Sequence, residues 1–304
     1  MKEVEYLKII QNTLSDSSFL GDDCALLEKF GLYVTQDSLI EDVHFILSST
    51  TPFELAKKAV NINLSDLAAA LAEPLFISIS LSIPSSLSHS FVEEFYNGIE
   101  DCCKQYKIKV IGGDLTSSDK VFISICAIGK KYSEIAVSRS FANIGDVVAT
   151  TGLHGDSAGG LKLIFDKNCS SKYLLKKHLC PVPQIEKSKQ IVDALNKAGV
   201  KRLAIMDTSD GLGDAVYKIS KASNCFLNID NIPVSDILKE TFPDEWENLA
   251  IWGGEDFELL FCLPQSVYDL LDKSQFYKIG TVLNQPISDC MLKDFEHKCF
   301  KHFS

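Results

Sequence analysis

The chain has 304 residues, 46% of them apolar and 23% charged, with a formal net charge of −11 and a pI near 5.0. This composition is that of a soluble globular enzyme large enough for two domains, and it excludes a disordered or fibrous protein. The acidic balance offers no basic stripe and so no nucleic-acid binding; an anionic substrate has to be met locally, by metal ions or a few cations.

The amino terminus, MKEVEYLKIIQ, sets charges among its apolar positions and has no h-region or small-residue cleavage site, which predicts no secretory signal and a cytoplasmic location. Thr51, Pro52 and Glu54 form a helix-start signal, and the apolar periodicity runs on to about Leu71, putting Asp66 on a helix. Leu64 to Pro84 is the most apolar stretch. Asp66, Glu73 and Pro74 break it, so it reads as a helix turning into a buried strand and not as a membrane span. Leu75 to Ile83 alternates as a strand does, and Phe91 to Tyr106 is patterned as an amphipathic helix. A short strand (Ile108 to Ile111), a turn at Gly112-Gly113 and a strand from Val121 to Ile128 complete a first half that mixes sheet and helix. Polar and glycine residues from Ser138 to Gly145 mark a boundary, giving predicted domains 1–137 and 138–304. Beyond it come a strand at Asp146 to Thr150, a glycine-rich turn at Gly152 to Asp156 opening a helix, and a strand from Leu203 into Asp207. A helix from Gly211 to Ala222 and strands at Phe226 to Ile229 and Leu259 to Leu263 follow, an α/β pattern. The ten cysteines include no CxxC pair and no zinc-like spacing with the six histidines, and are read as reduced and structural.

The chemical signal is acidic. Aspartates and a glutamate recur beside glycine or at strand ends: Gly21-Asp22-Asp23, Thr35-Gln36-Asp37, Gly112-Gly113-Asp114, Asp207-Thr208-Ser209-Asp210-Gly211 and Gly253-Gly254-Glu255-Asp256. Taken singly, each is also what a turn or helix cap requires, and Asp66 alone is what a solvated helix face carries. If they converge, two carboxylates ~4 Å apart repel by about 4 kcal/mol at an effective dielectric near 20, so a shared site demands cations. Magnesium fits, since it takes oxygen ligands and bridges carboxylates to nucleotide phosphates. No GxxxxGK[ST] segment, HRD or DFG set or GxSxG elbow is present, which sets aside P-loop, protein-kinase and serine-hydrolase readings.

In order, GDDCALL (21–27), TQDSLIEDVHF (35–45), AVNINLSDLAA (59–69), IGGDLT (111–116), SRSFANIGDVVATTG (138–152), GDSAGGL (155–161), DTSDGL (207–212) and GGEDFELLF (253–261) closely resemble the thiamine-monophosphate kinase family. The resemblance implies an ATP-binding domain of the aminoimidazole-ribonucleotide-synthetase type, whose sheet pairs with that of a second subunit in a barrel-like homodimer. A carboxy-terminal α/β domain would close one side of the active site. On the family pattern, Asp23, Asp37, Asp66, Asp114 and Asp207 resemble ligands of several magnesium ions. Asp210 resembles a contact to a further ion, and Thr35 and Gln36 supply oxygens beside Asp37. Gly113, Asp114, Arg139 and Ser209 resemble ATP contacts; His44, Glu255 and Phe300 resemble contacts to thiamine monophosphate. Gln36 stands where the family usually has threonine, Leu115, Ser117 and Ser118 where it has threonine and arginine, and Cys180 and Gln184 where it has arginines. Two or three family cations are therefore missing.

The activity the resemblance implies is direct in-line transfer of the ATP γ-phosphoryl group to thiamine monophosphate, giving thiamine diphosphate and ADP. A phosphate monoester is already a nucleophile near neutral pH, so the protein needs no strong general base and has instead to position two anions. The alternatives are a related ATP-dependent synthetase, acting on a purine intermediate or selenide, and a non-catalytic ATP-binding scaffold. Cys24 lacks the glycine-rich, lysine-flanked setting expected of a selenide enzyme.

Overall fold

The computed structural model describes residues 2–166 and 170–285. The first half runs α1 (Lys2–Thr13), β1 (Ala25–Leu27), β2 (Leu32–Ile40), α2 (Pro52–Ala69), β3 (Ala72–Ile83), α3 (His89–Tyr106), β4 (Lys109–Ser117) and β5 (Phe122–Lys131). Its strands form one mixed sheet, in the order β1-β2-β5-β3-β4.

The signal at Thr51 acts as read. The Thr51 hydroxyl accepts from Glu54 N, the Glu54 carboxylate accepts from Thr51 N, and Pro52 opens the helix where its missing N–H costs nothing. Helix α2 is buried along most of its length, Leu55, Val60, Leu64 and Leu67 among its core residues, because it lies between the first sheet and the second half of the chain. The sheet alternates accordingly: Ile77, Ile79 and Leu81 of β3 are buried, whereas Ser78, Ser80 and Ser82 are half-exposed on the other face.

One local expectation is corrected. Gly112 and Gly113 are not a turn but lie inside β4, which pairs in parallel with β3 across a register shift at Ile77/Ser78. Glycine is required at 113 by close approach, since a Cβ there would lie 1.9 Å from the Ile79 carbonyl oxygen.

The second half runs β6 (Ala136–Val137), β7 (Val147–Thr150), α4 (Asp156–Phe165), α5 (Lys172–Leu179), α6 (Ile185–Ala198), β8 (Arg202–Asp207), α7 (Leu212–Ala222) and β9 (Phe226–Ile229). It ends with α8 (Asp236–Thr241), α9 (Trp246–Trp252), β10 (Leu259–Leu263), α10 (Gln265–Tyr268) and β11 (Tyr277–Leu283). The second sheet has the order β6-β8-β10-β7-β11-β9. In it β10 runs antiparallel to both β7 and β8, and among the described residues only β6 and β8 pair in parallel. Sheet membership changes between Lys131 and Ala136. Among the described residues no helix is long and apolar enough to cross a membrane.

Candidate active site

A cleft of 1140 Å³ opens between the two halves. The first half brings Asp23, Thr35, Asp37, His44, Lys58 and Asp66 to it; the second brings Arg139, Ser209, Asp210, Lys218 and Glu255. At its floor one oxygen of each of Asp23, Asp66 and Asp207 lies within 4.8 Å of the others. Three different elements supply this cluster: the turn before β1, helix α2 and the end of β8; strand β2 brings Asp37 beside it.

Each carboxylate is held. Thr35 Oγ1 donates to Asp66 Oδ2 at 2.6 Å, and Ser65 Oγ donates to Asp207 Oδ2 at 2.7 Å. Ser209 Oγ donates to Asp207 Oδ1 at 2.9 Å, and Asp37 N donates to Asn63 Oδ1 at 3.0 Å. Arg139 Nη2 lies 2.5 Å from Asp23 Oδ1, while its buried Nε has no hydrogen-bond partner among the described residues. Beside it, Asp22 accepts from Arg139 N at 3.0 Å and fixes the turn.

Burial is the main cause that pushes these acids up: Asp23 to about 6, against the opposing pull of Arg139, and Asp37 to about 7, with Asp207, Asp210 and Asp23 adding repulsion. Asp66 is pushed well above the usual carboxylate range by burial and then by Asp37, Asp207 and Asp23, and Asp207 is raised by burial. Crowded, desolvated carboxylates with hydroxyl neighbours are a donor set suited to a hard divalent cation, and protonation is what they fall back on without one. Asp23, Asp37, Asp66 and Asp207 fit magnesium on these grounds.

Asp210 stands at the rim, 3.0 Å from Lys218 Nζ, which also reaches Asp214 at 2.7 Å. Toward the other end, Glu255 Oε2 lies 3.0 Å from Lys58 Nζ and 3.2 Å from His178 Nδ1. His44 sits nearby, its Nδ1 accepting from Ile40 N at 3.0 Å, and leucine, phenylalanine and tryptophan side chains (Leu161, Phe165, Trp252, Phe257) line the rest of this end. Glu255 and Phe257 both have positive φ, 67° and 52°, and between them the Asp256 carboxylate accepts from Gly155 N and Ser157 N at the start of α4. Left-handed backbone at two non-glycine residues is the kind of strain that persists where a side chain has to be aimed.

The single chain does not gather everything expected. Gln36 lines the cleft, but its side-chain Nε2 donates to Ser124 Oγ at 3.1 Å on the other face of the sheet. Gly113 and Asp114 lie on β4: Asp114 is in register with Ser80, which is opposite Ser124, which is opposite Ser38. That row puts Asp114 three strand spacings from β2, roughly 14 Å, and on the face away from α2. Phe300 lies outside the described residues. Lys58, His178, Asn63 and Lys218 were not singled out in the sequence. Lys58 had a visible signal, since 58, 62 and 66 recur at the spacing of one helix face; His178 and Lys218 are recruited from distant elements and had none.

A family model described as "AIR synthase related protein, N-terminal domain" matches residues 21–130. The thiamine-monophosphate kinase of Aquifex aeolicus is 34% identical over 99% of this chain and 98% of its own length, and that of Synechococcus elongatus 33% identical over 93% and 91%. The chain belongs to the thiamine-monophosphate kinase family. A solved structure, "AaThiL complexed with AMPPCP and TMP", superposes with a TM-score of 0.85 at 31% identity, covering 100% of this chain and 98% of that one. A structure of the HypE–HypF complex, at 18% identity and a TM-score of 0.75, shares the fold alone.

Proposed function

We propose that this protein is a thiamine-phosphate kinase, transferring the γ-phosphoryl group of ATP to thiamine monophosphate to give thiamine diphosphate and ADP. The observation that carries it is the cleft itself: a carboxylate cluster at one end and an aromatic-lined end bearing Glu255 at the other, in a chain of this family. Asp23, Asp37, Asp66 and Asp207 would hold magnesium, with Asp210 toward a further ion. When bound, magnesium neutralises the repelling phosphates and stabilises charge on the group in transfer.

The protein's own groups do the positioning. Arg139, already charged and oriented by Asp23, has a spare buried Nε and is suited to ATP phosphate oxygens, as Ser209 is from the other wall. His44 and Glu255 face the acceptor. No side chain is needed as a strong base, because the acceptor phosphate oxygen attacks directly and ADP leaves. The family arginines are absent at Cys180 and Gln184; Lys58 and Lys218 line the cleft but are paired with Glu255 and with Asp210 and Asp214.

The reading includes a homodimer and two domains, 1–137 and 138–304. Strand β4 is exposed at all nine residues, with Ile111 56% and Leu115 63% accessible, an edge that solution would not leave open. On the far edge, β1 pairs with β2 at Leu32 to Val34, so among the described residues β2 from Thr35 onward has a free side beside Asp23. A two-fold barrel that seats β4 of one copy there would bring the partner's Gly113 and the partner's Asp114 to the cluster, which accounts for their distance from it within one chain.

The test is to incubate the protein with ATP, magnesium and thiamine monophosphate and to quantify thiamine diphosphate and ADP by chromatography, with thiamine as control. Equal amounts of both products are expected, none with EDTA, and at least a hundredfold less with Asp37→Asn. ATP binding without diphosphate would overturn the kinase in favour of the scaffold.

A further inference from the structure

Helix α2 lines the cleft with Lys58, Ile62 and Asp66, at i, i+4 and i+8 along one face. Asp66 is in the carboxylate cluster. Lys58 is two turns earlier, roughly 12 Å along the axis. A single rigid element, fixed at its start by the Thr51–Glu54 capping box, therefore carries one side chain to each end of the cleft.

Lys58 is an unusual lysine, with a side chain only 3% exposed. Its ammonium lies 3.0 Å from Glu255 Oε2 and 3.5 Å from the His44 carbonyl oxygen, two groups beside the aromatic end. His178 Nδ1 approaches the same Oε2 at 3.2 Å and lies at the same distance from Ser157 Oγ; burial first, then Lys58, depress that imidazole to about 4, so it is neutral near pH 7 and meets Glu255 as an N–H donor in the Nδ1–H tautomer and not as a cation. Both partners thus fall on one oxygen of Glu255, whose side chain remains 25% exposed to the cleft. A buried lysine is costly to desolvate, and a surface ion pair would not repay that cost; it is repaid where geometry has to be fixed. The left-handed backbone at Glu255, with Asp256 tied to α4, aims the same carboxylate from behind.

We infer that Lys58, assisted by His178, is a positioning residue for the acceptor: it fixes Glu255 as a hydrogen-bond acceptor two helix turns from the carboxylate cluster, so that the site measures the length from phosphate to terminal heterocycle. The inference rests on the kinase reading above and adds to it the part of the acceptor that is read. That part is the amino-bearing pyrimidine ring, whose exocyclic N–H groups match a carboxylate and whose ring nitrogen matches an ammonium donor beside it. An acceptor ending at the thiazole ring reaches the cluster but not Glu255.

The experiment compares two acceptors, thiamine monophosphate and the phosphorylated hydroxyethylthiazole that lacks the pyrimidine, in wild type, Lys58→Met, Lys58→Arg and Glu255→Gln. Thermal midpoints of each are recorded alongside KM and kcat. The wild type is expected to prefer the longer acceptor. Lys58→Met should raise KM for thiamine monophosphate at least about tenfold, with KM for ATP within about twofold and the shorter acceptor little affected, and Lys58→Arg should recover part of the loss. Glu255→Gln should reproduce the pattern, and carries the test by itself if Lys58→Met does not fold. Equal effects on KM for ATP and for both acceptors, or a preference between acceptors that survives both substitutions, would overturn the inference while leaving the kinase standing. A wild type that makes no thiamine diphosphate would overturn both.

Discussion

At the scale of single residues, the proposed magnesium role of Asp23, Asp66 and Asp207 predicts that stability is given up there for function. In metal-free protein the carboxylates repel and are desolvated, so Asp66→Asn, which keeps an oxygen for the Thr35 hydroxyl, should raise the thermal midpoint by a few degrees, on the order of 1 kcal/mol, while abolishing turnover. Calorimetry in EDTA beside the product assay checks both halves of that expectation. His154 acts in the opposite sense. It is fully buried, its Nδ1 has no hydrogen-bond partner among the described residues, and burial lowers it from 6.5 to about 3. Because the unfolded chain takes up this proton first, stability is complete above pH 6.5 and is lost as pH falls from there toward 3. Urea midpoints measured across that window should fall less steeply in His154→Gln than in wild type. Asp23 and Asp207 stood out as acids in glycine-containing turns, because turn chemistry and metal chemistry use the same short side chains, whereas Asp66 on its helix face was picked out only by the family resemblance. His154 did not stand out, because nothing adjacent in the sequence announces that a histidine is enclosed.

At the scale of elements, patterning located α2, α3, β3, β9 and β10 to within a few residues, since each carries strong periodicity or a cap. It failed at Gly112-Gly113, where two glycines read as a turn but serve a parallel pairing so close that β3 backbone occupies the place of a side chain. Gly113→Ala should accordingly cost about 1–3 kcal/mol in urea unfolding, by pushing β4 from β3, even though the residue is on an exposed edge. Exposed positions elsewhere on that strand, such as Lys109, should tolerate alanine within about 0.5 kcal/mol. The short helices α8 to α10 were missed for want of length, as a four-residue element such as α10 shows no period.

At the scale of the whole molecule, the mixed α/β class was readable from the alternation of elements, whereas the mostly antiparallel second sheet was not: strand order depends on which edges meet, and local patterning is silent on that. The exposed β4 edge belongs to this scale too. On the proposed homodimer, Leu115→Arg is expected to shift the protein from dimer to monomer in size-exclusion chromatography with light scattering, and to lower activity at least tenfold at the same protein concentration.

The two halves also share custody of each end of the cleft. Asp66 and Lys58 ride on α2, while Asp207 and Glu255 belong to the second sheet and its loops. Any hinge motion that parts the layers withdraws Asp207 from the cluster and Glu255 from Lys58 together. On the proposed function, letting go of the phosphate end and of the ring end would thus be one mechanical event.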